Sequence, residues 1–247
     1  MGSHGPIGSW DVSTVTDMSG LFNHYQYGEP GTSTFNADIS NWDVSRATDM
    51  GYMFYKAKSF NGDISKWDVS NVITMEDIFD DATAFNSDLS NWDVSGVTNM
   101  NHMFFSASSF NRDISKWVVS RVTNMLGMFT SASSFNSDLS AWDVSKVTQM
   151  GSMFKGASSF SQTLCGTWSY SKAKKDEMFD GSAGRICDVA TTAPGKIASM
   201  KTITLPQNLG FSIRSRLRTH LLPLDLAHTA SHPNTHLHIR VIPILLP

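Results

Sequence analysis

Apolar and polar positions alternate along this chain in one fixed pattern, and the pattern returns every 25 residues. Phe35, Phe60, Phe85, Phe110, Phe135 and Phe160 open successive units. Ile39, Ile64, Leu89, Ile114 and Leu139 follow, then Trp42, Trp67, Trp92, Trp117 and Trp142. Met50, Met53, Phe54 and Ala57 close a unit and return as Met100, Met103, Phe104, Ala107 and as Met125, Met128, Phe129, Ala132. Polar rows are equally regular. Asn36, Asn61, Asn86, Asn111 and Asn136 stand beside the Phe row, Asp38, Asp63, Asp88, Asp113 and Asp138 come next, and Ser40, Ser65, Ser90, Ser115 and Ser140 precede the Trp row. A second acidic row of Asp43, Asp68, Asp93 and Asp143 is interrupted by Val118.

Two periodicities share each unit. Met50, Met53, Phe54 and Ala57 have the i, i+3, i+4, i+7 spacing of one apolar helical stripe, which predicts a short helix with Thr48 or Ser45 as its cap. Ile39 through Val44 is rich in β-branched and aromatic types and predicts a short strand. A repeat of 20–29 residues belongs to the leucine-rich-repeat range, where one coil cannot bury its apolar side alone and neighbours complete it. The expected fold is an α/β solenoid of about six coils, each with one short strand and one short helix. In such a stack the aromatic and aliphatic rows form the core, the Asn row satisfies backbone groups of adjacent turns, and the Asp rows hold tight turns through local bonds. A column of carboxylates collecting cations is the functional alternative. The break at Val118 and the absence of a glycine-bearing acidic loop of the calcium type count against it.

The unit Phe-Asn-x-Asp-Ile-Ser-x-Trp-Asp-Val-Ser-x-Val-Thr-x-Met-x-x-Met-Phe-x-x-Ala resembles the repeat of the BspA-like leucine-rich-repeat surface proteins, also known as the DUF285 or mycoplasma-lipoprotein-type repeat. The match runs from about Trp10 to Phe179. The resemblance implies a solenoid on or outside the cell that serves adhesion or protein binding, with no catalytic residues to carry over. Unlike that family, the chain shows no signal peptide or lipid-attachment cysteine near its start.

Three segments follow from the register. Residues 1–34 read as a partial repeat entered in its middle at Ile7-Gly8-Ser9-Trp10, so upstream repeats are expected. From Trp10 to Trp42 the spacing is 32, and the surplus falls in Tyr25 through Thr34, a loop insertion of the kind that maps to one face of a solenoid. Residues 35–183 are the regular repeats, ending in a degenerate cap at Phe160 to Trp168. Cys165 and Cys187 either form a disulfide across this cap, as in an oxidising compartment, or remain two buried thiols. Residues 184–247 lose every repeat row.

Charge divides at the same boundary. The tail has seven basic and two acidic residues, a net of +5, against −8 for the preceding part. It is expected to dock on the acidic repeats, bind a polyanion, stay disordered, or represent translated non-coding sequence. Its closing run Ile242 to Pro247 is far too short to span a membrane.

Chemistry of the catalytic kind is sparse. His24 and His102 have no matched nucleophile, and His232, His236 and His238 lack acidic or thiolate company for a metal. No phosphate-cradling glycine loop occurs, nor a basic patch interleaved with aromatics, so neither a cofactor nor nucleic acid is expected. The candidate binding residues are those that change freely between units: Tyr52, Glu76, Asp77 and His102 in the second half of the unit, and Arg46, Arg121 and Lys146 in the turn after the first. These read as solvent positions on a fixed frame. The expected function is non-enzymatic binding of a protein or glycan at the cell surface. The competing expectation is a carbohydrate-, cation- or ice-binding face built from the Asp, Ser and Thr ladders.

Overall fold

The computed structural model describes residues 5–23 and 34–188. They lie within one compact unit, Met1–Thr192. The insertion around Tyr25, His24, and the basic tail beyond residue 188 with His232, His236 and His238 lie outside the described residues.

Like residues stack on like. The Trp42 and Trp67 rings stand 6.4 Å apart and nearly parallel at 4°, and Trp117 and Trp142 repeat this at 6.3 Å and 7°. Phe54, Phe79, Phe104, Phe129, Phe154 and Phe179 form one column with 5.5–5.7 Å between rings. Phe60, Phe85, Phe110, Phe135 and Phe160 form another at 5.9–6.0 Å. Within each unit the two columns touch, as at Phe54 and Phe60, 3.9 Å apart. From Trp42 to Trp168 each Trp also donates its indole N–H to a carbonyl of the preceding unit, for example Trp92 to Ile64 at 3.0 Å and Trp117 to Leu89 at 3.0 Å. A Trp at this position therefore fills the core and ties two units at once, which is the use its one polar atom suits.

The backbone departs from the expected strand and helix. From Met50 to Ala57 the chain forms consecutive tight turns. Met53 donates to Met50, Tyr55 to Tyr52 and Ala57 to Phe54 within the unit, at 3.3, 3.1 and 3.0 Å. The residues between them face the next unit: Met50 donates to Thr74, Tyr52 to Glu76, Phe54 to Ile78 and Lys56 to Asp80, at 3.2, 2.8, 2.9 and 2.7 Å. Gly51 completes the set on Asp49 Oδ1 at 2.8 Å. A helix would spend its amides along its own axis and leave neighbouring units unjoined; alternation serves both. It requires left-handed backbone at two places per unit, Tyr52 at φ 58° and Lys56 at φ 59°, and the equivalent residues repeat it down the stack.

No strand runs through Ile39–Val44 either. Trp42 N–H turns back to the Ile39 carbonyl at 3.1 Å, and the Asp38 and Asp43 carboxylates take the amides of Ser40 and Ser45, both at 3.0 Å. Amides taken by a local side chain are lost to a ladder. Parallel pairing falls elsewhere, as single-residue bridges linking Asp17, Asp49, Thr74, Asn99, Asn124, Gln149 and Lys174 in succession. Thr48, read from sequence as a helix cap, donates its N–H to Thr16 of the preceding unit at 2.8 Å. The Asn row is a ladder between units, with Asn86 N–H on Asn61 Oδ1 at 2.8 Å and Asn111 N–H on Asn86 Oδ1 at 3.0 Å.

Residues 5–23 form a unit joined to the next, Gly20 donating to Gly51 and Phe22 to Met53 at 2.8 Å each. At the other end β1 (Thr163–Leu164) pairs in parallel with β2 (Arg185–Ile186), flanking the single-turn helix α1 (Thr167–Tyr170). A Cys165–Cys187 disulfide joins the same two segments. Past the boundary expected at residue 183, the described chain runs on through β2 and Cys187.

Candidate functional site

Two surfaces carry the chemistry. The first is built by the left-handed turn positions, where Tyr52, Asp77 and His102 occupy equivalent places in successive units at φ 58°, 54° and 51°. This backbone brings three sequence-distant side chains into register. Tyr52 is exposed and its hydroxyl lies 3.4 Å from Glu76 Oε1. Asn101 and Asn99 grip the same carboxylate through their amide nitrogens, at 2.9 and 3.0 Å. His102 Nδ1 stands 3.6 Å from Asp77 Oδ1, with the Phe105 ring edge-on to the imidazole at 5.2 Å. Four of the residues singled out by their variability therefore converge. Arg46, Arg121 and Lys146 are exposed and do not join them.

Asp77 corrects the sequence reading: it is only 5 % exposed, and Glu76 and His102 are half-buried. Inter-unit packing covers them, and variability alone gives no measure of that. Asp80, which sequence reasoning passed over, belongs to the same cluster. Burial, reinforced by hydrogen bonding and charge repulsion from Asp77, pushes its carboxyl pKa up to about 8. The Asp77 carboxylate outweighs burial at His102 and holds its imidazole pKa above the ordinary value. Burial together with Asp77 and Glu76 raises the Tyr52 hydroxyl to about 12. The signal available in sequence was the Asp80-Asp81 pair at positions where other units carry Tyr55-Lys56 or Phe105-Ser106. Among the described residues no three His, Cys, Asp or Glu side chains are grouped so as to hold a metal ion.

The second surface carries the acidic rows. Asp38 Oδ1 accepts from both the N–H and the hydroxyl of Ser40, at 3.0 and 2.7 Å, and Asp11 does the same with Ser13. Donation by the serine two residues on holds Asp38, Asp43, Asp63, Asp93, Asp113 and Asp143 below the usual carboxylate range. These groups are turn locks and surface charges together. Where Val118 interrupts the row, a groove of about 590 Å³ opens between two units. A parallel Thr row covers another edge, Thr123 Oγ1 donating to Thr98 and Thr148 Oγ1 to Thr123, at 3.2 and 3.0 Å. No helix among the described residues is long and apolar enough to cross a membrane.

The family model described as Mycoplasma protein of unknown function, DUF285, matches residues 2–105 and again 85–188. Neither the curated proteins nor the solved structures contain a match. With both halves of the repeat array matched, stacked in one register and bonded unit to unit, the chain belongs to the DUF285 repeat family.

Proposed function

We propose that this chain is a non-enzymatic solenoid scaffold of the BspA-like leucine-rich-repeat kind, which binds a protein partner outside the cell. The observation that carries the reading is the division of labour among positions. Rows that repeat are spent on the core, the turns and the inter-unit ladder, whereas Tyr52, Glu76 and His102 vary on a frame that does not. Free variation on a rigid frame suits recognition. The Cys165–Cys187 disulfide supports an oxidising, extracellular setting.

The rival is a cation-, carbohydrate- or ice-binding face on the Asp, Ser and Thr ladders. Its specific support is the Thr48, Thr98, Thr123, Thr148 row, which only the exposed Ile73 breaks. Against it, one carboxylate oxygen in each Asp turn is already engaged by the following serine. A ligand that binds only the folded state raises Tm, so melting is measured with calcium and with a glycan panel. The scaffold reading expects no shift with either, and saturable capture by an immobilised panel of purified extracellular proteins that is lost when Tyr52→Ser, Glu76→Gln and His102→Ser are combined. A Tm rise with an ion or sugar overturns it in favour of the rival.

A further inference from the structure

The regularity of the acidic row behind Trp makes its break at Val118 conspicuous. At the position after Trp, five units carry Asp11, Asp43, Asp68, Asp93 and Asp143, all exposed, and a sixth carries Val118, 56 % exposed. The change is not required by packing. Neighbouring units hold Asp at the same backbone position, and the buried face of the unit is filled by Trp117 and Val119. Beside Val118 the next unit has Ala141, where Asn41, Lys66, Asn91 and Lys116 stand elsewhere. The two small apolar side chains line the groove of about 590 Å³ together with Lys116, Asp138 and Asp143.

The surroundings are charged in a definite sense. Asp93 and Asp143 flank Val118 along its own row, and Asp113 and Asp138 belong to the parallel row. Serine donation holds the carboxyls of Asp93, Asp113 and Asp143 below the usual carboxylate range. Lys116 and Lys146 lie near Asp113 and Asp143 and leave the groove itself only weakly negative. The attraction comes from the array, which carries a net of −8 through residue 183. An apolar floor inside an anionic field complements a segment of opposite pattern.

We infer that the groove at Val118 and Ala141 seats an apolar side chain of a partner protein presented between basic residues. This rests on the scaffold reading above and specifies the partner's chemistry. The basic residues meet the Asp rows on either side and set the approach, while the apolar side chain covers Val118 and supplies discrimination.

The probe is a synthetic peptide of about twelve residues, lysine and serine alternating, with one central leucine, compared with a twin carrying serine there. Binding to the full chain is measured at low ionic strength. The wild type is expected to prefer the leucine peptide by about tenfold, the worth of burying one such side chain. Val118→Asp restores the residue used by the other units, so folding is kept and is checked by near-UV circular dichroism. It is expected to bring the preference close to one while lysine-dependent binding persists. Asp143→Asn is expected to weaken both peptides alike. A leucine preference absent from the wild type, or unchanged in Val118→Asp, overturns the inference. So does a failure to bind either peptide. The two readings fail separately: a chain that captures an extracellular protein through Tyr52, Glu76 and His102 yet ignores the leucine loses only the Val118 seat.

Discussion

A single carboxyl shows how residue-level chemistry reaches stability. Asp80 is an ordinary exposed acid in the unfolded chain, with a pKa near 3.8, and has a pKa of about 8 in the folded one. The folded state thus binds more protons across that interval, and stability declines as pH rises through it. His102, also raised, acts in the same direction: its contribution is complete below 6.5 and is lost as pH climbs through its folded value. The serine-locked aspartates act oppositely, losing stability only as pH falls below their unfolded value of 3.8. Tm is therefore expected to be higher at about pH 5 than at about pH 8.5, and Asp80→Asn, which stays neutral, to flatten most of that slope and to melt above the wild type at the alkaline end. Equal slopes for the two proteins would remove Asp80 as the cause. In sequence the Asp80-Asp81 pair was the one trace of this, and it carried no measure of burial. Asp77 and Asp80 are non-repeating residues, and the periodicity that marks Phe54 or Trp67 as buried gives no information about a residue that occurs in one unit only.

At the scale of the element, the left-handed positions decide the architecture. Gly127 occupies the place held by Tyr52, Asp77 and His102 in other units, at φ 58°, and a Cβ there would come within 2.3 Å of His102 Cδ2. Gly127→Ala is expected to cost about 1–2 kcal/mol from the left-handed backbone alone, with additional loss from the clash. His102→Ala relieves the clash but not the backbone strain, so the double variant should lose clearly less than the two singles summed. Strictly additive losses in denaturant melts would show that the imidazole is not the obstacle. These positions also explain why a helix was expected. Met50, Met53, Phe54 and Ala57 point inward from alternating turns at the spacing a helix would use, so the apolar pattern fits both. The discriminating clue was the recurrence of glycine at equivalent sites, Gly127 among Tyr52 and His102, and Gly156 and Gly181 among Lys56 and Ser106. It was obscured because most residues there are not glycine. The strand expected over Ile39–Val44 failed for a different reason: Asp38 and Asp43 capture the amides that a strand would have to share.

For the whole repeat array, the period itself was readable and carries a strong consequence. Each unit touches chiefly its neighbours, and Phe85 and Phe110 occupy equivalent places. Removing Asn86 through Phe110, one full period, joins Phe85 to Asn111 and keeps every row in register. The shortened chain is expected to fold with the same circular-dichroism signature and a lower Tm, since stability in such arrays is a sum over units and their interfaces. Removing about 20 residues from the same stretch should abolish cooperative melting, because the core rows then meet the wrong partners. If both deletions unfold the protein equally, the units are not interchangeable. The two ends were less legible than the middle, since Cys165 and Cys187 left bonded and free thiols equally open from sequence, and β2 bears no repeat residue to announce it.

The alternating amides of the Met50–Ala57 run have a mechanical side. The N–H groups of Met50, Tyr52, Phe54 and Lys56 all reach toward the following unit, so tension that separates neighbours bears directly on those bonds and on the stacked rings behind them. Yielding one unit releases 25 residues, about 85 Å of slack chain, before the next is loaded. A tether of this construction gives way in instalments, dissipating work at each step while the units not yet loaded keep their grip.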